Sequence, residues 1–266
     1  PEHGMRLIAG DVGGSFGMKG GLYPEVPLVA WASKRVGRPV RWACERTESL
    51  LSDDQARDMV VEAELGLDSE GHFLGMRLKS LNNVGAYITM IGFISTNGIA
   101  NSMCGVYTTP ALHGQAVAVL TNTVPVSNYR APGGAPGTYV LERIIDIAAH
   151  KIGLDPTEIR RRNIIPSSAM PYNLPTIGAY DCGEFEVIMD KCLEIADYVG
   201  SSQRKDTAKT LGKHRGVGIS TTVDPSAGPS PETAELRFDP GGTVTILVGS
   251  TAGGQSHETI YTQIVS

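Results

Sequence analysis

"NYRAPGGAPGTYVLERIIDIAAHKIGLDPTEIRRRN", residues 128–163, places two helix signals behind one glycine-rich loop. Val140, Leu141, Ile144, Ile145, Ala148 and Ile152 fall on one stripe at helical spacing, and Gly153 supplies a stop. Asp155 then stands as an N-cap, with Pro156 at the first helical position and Glu158 three residues beyond the cap, the layout of a capping box. A second, short helix is predicted there. Just upstream, "HGQAVAVLTNTVPV" reads as a strand, so the stretch as a whole predicts strand, glycine loop, helix.

Working outward from it, residues 38–84 break into short alternating runs, "PVRWACERTE", "MVVEAELGLD" and "FLGMRLKSLNNVGAY", with a turn at residues 68–71. Such runs predict antiparallel sheet. Residues 24–36 have helical spacing and end at Gly37 and Pro39. Downstream, "SSAMPYNLPTIGAYD" is proline-rich and irregular, and "GEFEVIMDKCLEIADYVG" restores helical periodicity. "SSQRKDTAKTLGKH" is polar enough to predict a connector, and "TAELRFDPGGTVTILVGS" predicts a hairpin turning at residues 239–242. Strand runs interrupted by a few strong helices predict an α+β fold rather than a helix bundle or a doubly wound parallel sheet. We divide it into two mixed sheet-and-helix subdomains, 1–178 and 179–266, with the boundary between Met170 and Ala179.

The 266 residues carry a net charge of -5, 19% charged and 6% aromatic side chains, and 32 glycines. The balance offers no basic footprint beyond Arg160, Arg161 and Arg162, so nucleic acid is not an expected partner. No apolar run has membrane-spanning length, and no leader-like segment opens the sequence. Cys44, Cys104, Cys182 and Cys192 are scattered without a C-x-x-C pair, which fits a reducing, cytoplasmic setting and gives no zinc knuckle. The six histidines form no H-E-x-x-H, and His150 is expected to be a hydrogen-bonded helix residue, so no protein-ligated metal is assigned. Pro1 and the helical "HETIYTQIVS" at the other end read as those of an internal piece of a longer chain.

Glycine loops are the functional signal. "GDVGGSFGMKGG", residues 10–21, has neither the Gly-Lys-Ser/Thr of a phosphate loop nor the G-x-G-x-x-G of a dinucleotide fold. Loops of this composition permit positive φ and close backbone approach, and amides at a helix start favour an anion. Three times an apolar strand is read as running into a Gly-Gly loop and a helix: residues 7–17, 117–137 and 244–255. The loops could surround an extended anionic ligand, or they could serve only as tight turns.

"GGSFGMK", "YRAPGG", "LERIIDIAAHKIGLDPTEIRRRNII" and "GSTAGGQSHETIYTQ", in this order, resemble the molybdenum-binding large subunit of the xanthine dehydrogenase, aldehyde oxidoreductase and carbon monoxide dehydrogenase family. The resemblance covers essentially the whole chain and implies two cofactor-binding subdomains, the second one truncated. It implies cofactor-binding positions at Gly13, Gly14, Phe16 and Gly17, at Arg130 and Ala131, and at Gly254 and Gln255. The backbone around Phe16 and Gly17 would face an oxo ligand, and Arg130 and Gln255 would contact the pterin or phosphate side. A guanidinium gives fixed donors to phosphate, and a primary amide can donate and accept. Glu142, Arg143 and Asp146 also match the pattern but are expected to form structural ion pairs.

The implied cofactor is a molybdopterin-type molybdenum group, with the cytosine dinucleotide form as one alternative, and iron–sulfur clusters and FAD on partner subunits or domains. The implied reaction is hydroxylation of a small molecule with water-derived oxygen. The family's general base, a glutamate, would lie beyond Ser266, and its upstream glutamine would precede Pro1, so no catalytic residue is assigned and the chain alone is expected to be inactive. Ala131 stands where the carbon monoxide branch has a copper-holding cysteine, and Gly20 and Pro132 where xanthine enzymes have a glutamate and a phenylalanine. Ser256 replaces a glycine commonly found after the loop glutamine. These departures favour an aldehyde or N-heteroaromatic substrate. The alternatives are a carbon monoxide dehydrogenase-like or xanthine dehydrogenase-like member, or a non-catalytic Gly-rich binding or assembly module.

Overall fold

The structure is a computed structural model that describes Gly4 and residues 6–89, 91–176, 178–224 and 231–266. In chain order its main elements are α1 (Glu25–Val36), α2 (Arg46–Ser52), β1 (Met59–Leu67), β2 (Phe73–Gly85), α3 (Gly92–Asn101), β3 (Leu112–Leu120), α4 (Gly134–Ile152), α5 (Pro156–Asn163), β4 (Tyr172–Asn173), β5 (Ala179–Tyr180), α6 (Phe185–Ile195), α7 (Ser201–Thr210), β6 (Ala234–Phe238), β7 (Val244–Val248) and α8 (His257–Val265). Helices and small sheets alternate in an α+β arrangement, as expected. Two compact units interleave along the sequence: Arg57–Val126 with Ala131–Asp224, and Pro1–Ala56 with Ser127–Arg130 and Pro225–Ser266.

The larger unit holds the core. β1 and β2 pair antiparallel, with Ala63 opposite Leu78, and β3 lies parallel on the other side of β2, with Leu78 opposite Gly114. Met76 and Leu78 on one sheet face join Ile99, Met103, Leu141, Ile145, Ala149 and Ile159 from α3, α4, α5 and the turn after α3. The ring of Tyr107 meets Phe73 edge-on at 5.5 Å. The helical stripe read from the sequence accounts for Leu141, Ile145 and Ala148 in this core, and Gly153 ends α4 in the left-handed region at φ 72°. Asp155 caps α5 by accepting from the Thr157 amide at 2.7 Å.

Several expectations are corrected. Glu158 closes no capping box: its carboxylate accepts from Arg162 one turn on, at 2.9 Å. "PVRWACERTE" is not strand; it runs as coil into α2, whose own capping box joins Glu45 and Glu48. Within residues 38–84 β1 and β2 pair antiparallel as expected, and β3 adds a parallel edge because the return from β2 passes through α3, which the sequence reading missed. α3 has no regular apolar stripe, and it makes its closest backbone approach through glycine. A side chain at Gly133 would start 2.4 Å from the Gly98 Cα. The polar connector at residues 201–214 is largely helix α7, which buries none of its residues and so lacks the stripe that marks a helix in sequence.

The smaller unit contains α1, α2, the β6–β7 hairpin and α8. The hairpin turns as expected, with the Gly242 amide donating to Asp239 O at 2.9 Å and Gly242 at φ 88°. Residues 6–10 form no strand, correcting the first strand–loop–helix reading. Leu7 and Ile8 are exposed there and no described strand pairs with them, while Met5 lies outside the described residues.

Candidate cofactor site

Within the smaller unit, three segments far apart in sequence meet: residues 13–17, 128–130 and 253–256. The Arg130 amide donates to Phe16 O at 2.8 Å, and the Phe16 and Tyr129 rings lie 5.7 Å apart. Gly17 abuts the next residue back, where a side chain would begin 3.5 Å from Asn128 O. On the other side the backbones of the first and third segments cross. A Cβ on Gly254 would sit 3.1 Å from Gly13 Cα and 3.2 Å from Gly14 N, and one on Gly253 would sit 3.7 Å from the Ser15 Cβ. At Gly254 the tight approach comes with a φ of 112°, a combination that favours glycine.

The backbone that makes these contacts is unusual. Gly14, Gly17 and Gly254 have φ of 74°, 95° and 112°, and two non-glycines of these segments share the positive region: Phe16 at 51° and Ser256 at 62°. For an L-residue this region costs roughly 1–2 kcal/mol. Its concentration in one place means that surrounding contacts hold the loops in shape, as at ligand clamps. Ser256, at φ 62° and ψ 41°, holds the left-handed conformation that glycine adopts most easily.

Among the described residues the amides of Gly14, Phe16, Gly17 and Gly254 donate no hydrogen bond. Met18 and Gly20 instead donate back to Ser15 O and Gly17 O in a short turn. A surface of unpaired amides with glycines in the left-handed region suits oxygen acceptors, oxo or phosphate. Arg130 is exposed beside it. The chemistry of this donor set fits a molybdopterin-type group.

Not every expected residue is aligned in the same way. Gln255 folds onto its own turn: Oε1 accepts from the Gly253 amide at 2.6 Å, and Nε2 donates to Thr251 O at 3.4 Å. Ala131 belongs to the larger unit, where its carbonyl accepts from the Ala135 amide and from Arg57. The sequence reading missed Asn128, Tyr129 and Ser15, which stand beside its chosen residues and form the contacts between segments. Their position next to Arg130 and Phe16 in the two motifs was the available signal.

The ion pairs expected on α4 are present in the larger unit. Arg160, fully buried, donates to Glu142 at 2.9 Å and Asp146 at 2.8 Å, and it reaches Ile219 O at 3.1 Å. Burial opposes its charge, but Glu142, Tyr107 and Asp146 outweigh that and raise its pKa. Tyr107 donates to Glu142 at 2.8 Å, and burial, then the Glu142 charge, push its phenol well above the ordinary value. The third α4 residue, Arg143, is exposed. His150 Nδ1 donates to the Asp146 carbonyl, 2.6 Å away. These groups hold α4, α5 and the segment near Ile219 together.

Models of the molybdopterin cofactor-binding domain match residues 1–164 and 191–266. The gamma subunit of the 6-hydroxypseudooxynicotine dehydrogenase complex of Paenarthrobacter nicotinovorans is 35% identical across the whole chain, which covers 34% of that protein. The carbon monoxide dehydrogenase large chain of Hydrogenophaga pseudoflava is 30% identical, again across the whole chain and 35% of that protein. The crystal structure of quinoline 2-oxidoreductase from Pseudomonas putida 86 superposes with a TM-score of 0.85 at 31% identity, over 96% of this chain and 34% of that one. The chain thus spans about a third of the length of the relatives it matches.

Proposed function

Since the chain belongs to the molybdopterin cofactor-binding domains of the xanthine dehydrogenase, carbon monoxide dehydrogenase and aldehyde oxidoreductase large subunits, we propose that it forms one wall of the molybdenum cofactor site in a hydroxylase. The observation that carries this reading is the meeting of residues 13–17, 128–130 and 253–256, which no local rule demands. In our reading the amides of Gly13, Gly14, Phe16, Gly17 and Gly254 face oxygen acceptors of the cofactor. Arg130 supplies charge-assisted bonds to its phosphate side, Gln255 turns from its own loop to the pterin side, and Ala131 packs against the group. The cofactor, as the cytosine dinucleotide or the simpler form, supplies two-electron redox chemistry at carbon. Subdomains 1–178 and 179–266 would each contribute a share of the wall.

The substrate class we favour is an aldehyde or an N-heteroaromatic compound, converted by adding a water-derived oxygen and releasing two electrons and two protons. Relatives named for 6-hydroxypseudooxynicotine and quinoline support the heteroaromatic half of that choice. Ala131 in place of a copper-holding cysteine argues against the carbon monoxide reaction. The electrons would leave through iron–sulfur and flavin partners, consistent with relatives named as a complex subunit and a large chain.

The test is Arg130→Ala in the full-length enzyme. Each lost charge-assisted bond is worth roughly 1.5–3 kcal/mol, so molybdenum and pterin per protomer should fall at least about tenfold in limiting cofactor. Full occupancy in that variant would remove the support for a cofactor role of this arginine.

A further inference from the structure

We propose that Asn128 is a binding residue of this site, its Oδ1 accepting a hydrogen bond from an N–H or NH2 group of a nitrogen heterocycle seated at the loop junction. The inference rests on the cofactor-site reading above. Its starting point is an unmet acceptor: Asn128 Oδ1 is covered by protein and has no hydrogen-bond partner. A buried acceptor left in that state is destabilising, because its hydration has been lost and nothing replaces it. The chain satisfies another buried asparagine fully. Asn163 Oδ1 accepts from the Phe73 amide at 2.7 Å, while Nδ2 donates to Gly71 O and Ile159 O.

Asn128 is also placed where a ligand would meet it. Its backbone packs on Gly17, and the two residues after it are tied to Phe16, one by the ring contact and one by the Arg130 amide. The residues around it, Phe16, Gly17, Tyr129 and Arg130, are exposed, and changes of side-chain rotamer at a binding surface are common.

Chemistry narrows the occupant. An amide oxygen repels phosphate and oxo groups, which the neighbouring amides and Arg130 attract, so Asn128 reads the complementary part of a ligand, a ring edge that donates. The pterin ring of the cofactor offers such an edge. So does an N-heteroaromatic substrate bearing an N–H, whereas a simple aldehyde does not.

The experiment uses the full-length enzyme with Asn128→Leu, which keeps the shape and removes the acceptor, and Asn128→Asp, which keeps an acceptor oxygen. Three quantities are measured: molybdenum and pterin per protomer, KM and kcat, and the thermal midpoint of protein made in a host without cofactor synthesis. Loss of one such bond corresponds to about tenfold. If the donor is the pterin, Asn128→Leu lowers cofactor content and Asn128→Asp restores most of it. If the donor is the substrate, cofactor content stays full while KM rises about tenfold and kcat holds. In either case the cofactor-free midpoint of Asn128→Leu is unchanged or higher, because an unmet polar group has been removed. Unchanged content and unchanged KM overturn the proposal, as does a lowered cofactor-free midpoint, which would mark a structural acceptor. A wild-type enzyme without molybdenum cofactor would instead bring down the site reading itself, and this inference with it.

Discussion

A methyl group on Gly254 would meet two obstacles at once: a φ of 112° that L-residues rarely adopt, and the Gly13 backbone 3.1 Å away. Neither atom in that crossing is the far end of a flexible side chain, so the loops must part. Gly254→Ala in the full-length enzyme should therefore cost about 1–3 kcal/mol of local stability. Cofactor content should fall with the overall fold retained by circular dichroism. Full content would mean that the crossing can widen freely. At this scale the sequence showed the glycines and their motif neighbours but not which glycine meets which. Pairing across the chain leaves no trace in spacing, and Asn128 carries its signal in an unsatisfied atom that only coordinates reveal. Ser256 is the converse case: a residue that looked out of place in the loop holds a left-handed backbone of the kind glycine favours.

Helix α5 is anchored at both ends of its energy range. Arg160 is a buried charge whose partners on α4 and near Ile219 must all be in place, since breaking a buried pair leaves an uncompensated ion. Asp155 is a partly exposed cap. Burial pulls its carboxyl upward, but the Thr157 hydroxyl and amide and the Tyr198 hydroxyl prevail and hold its pKa below the ordinary carboxylate value. A depressed folded pKa means stability that is present above the unfolded value and lost as pH falls through the folded one. Asp155→Ala should thus lower stability by about 1 kcal/mol at neutral pH. The gap to wild type should close only below pH ~4, measured as thermal midpoint against pH. A gap that persists unchanged at the lowest pH would deny the carboxylate its role. The start and stop signals of α4 and α5 were readable because caps are local chemistry. α3 and α7 were not, because one packs through glycines and the other buries nothing.

Over the whole molecule, burial is uneven. Among the described residues of the smaller unit only Ser127 is buried, whereas the larger unit owns the hydrophobic core. Trp31, Trp42 and Phe238 are among the large apolar residues left open. Opening free energy follows buried contacts, so amide exchange in the isolated chain should be slowest in β2 and α4 and fast in α1, α8 and the three site segments. Slow exchange in those segments would contradict this distribution. The α+β class was legible from alternating and helical periods; the interleaving of the units was not, since it depends on contacts between distant segments. The crossing of Gly13 and Gly254 also sets a schedule. A ribosome adding about 5–20 residues per second makes the first loop about 10–50 s before the third, and until then the first two loops have only each other to close against. The site is therefore a late product of synthesis, and its cofactor must wait for a chain that is already complete through Ser256.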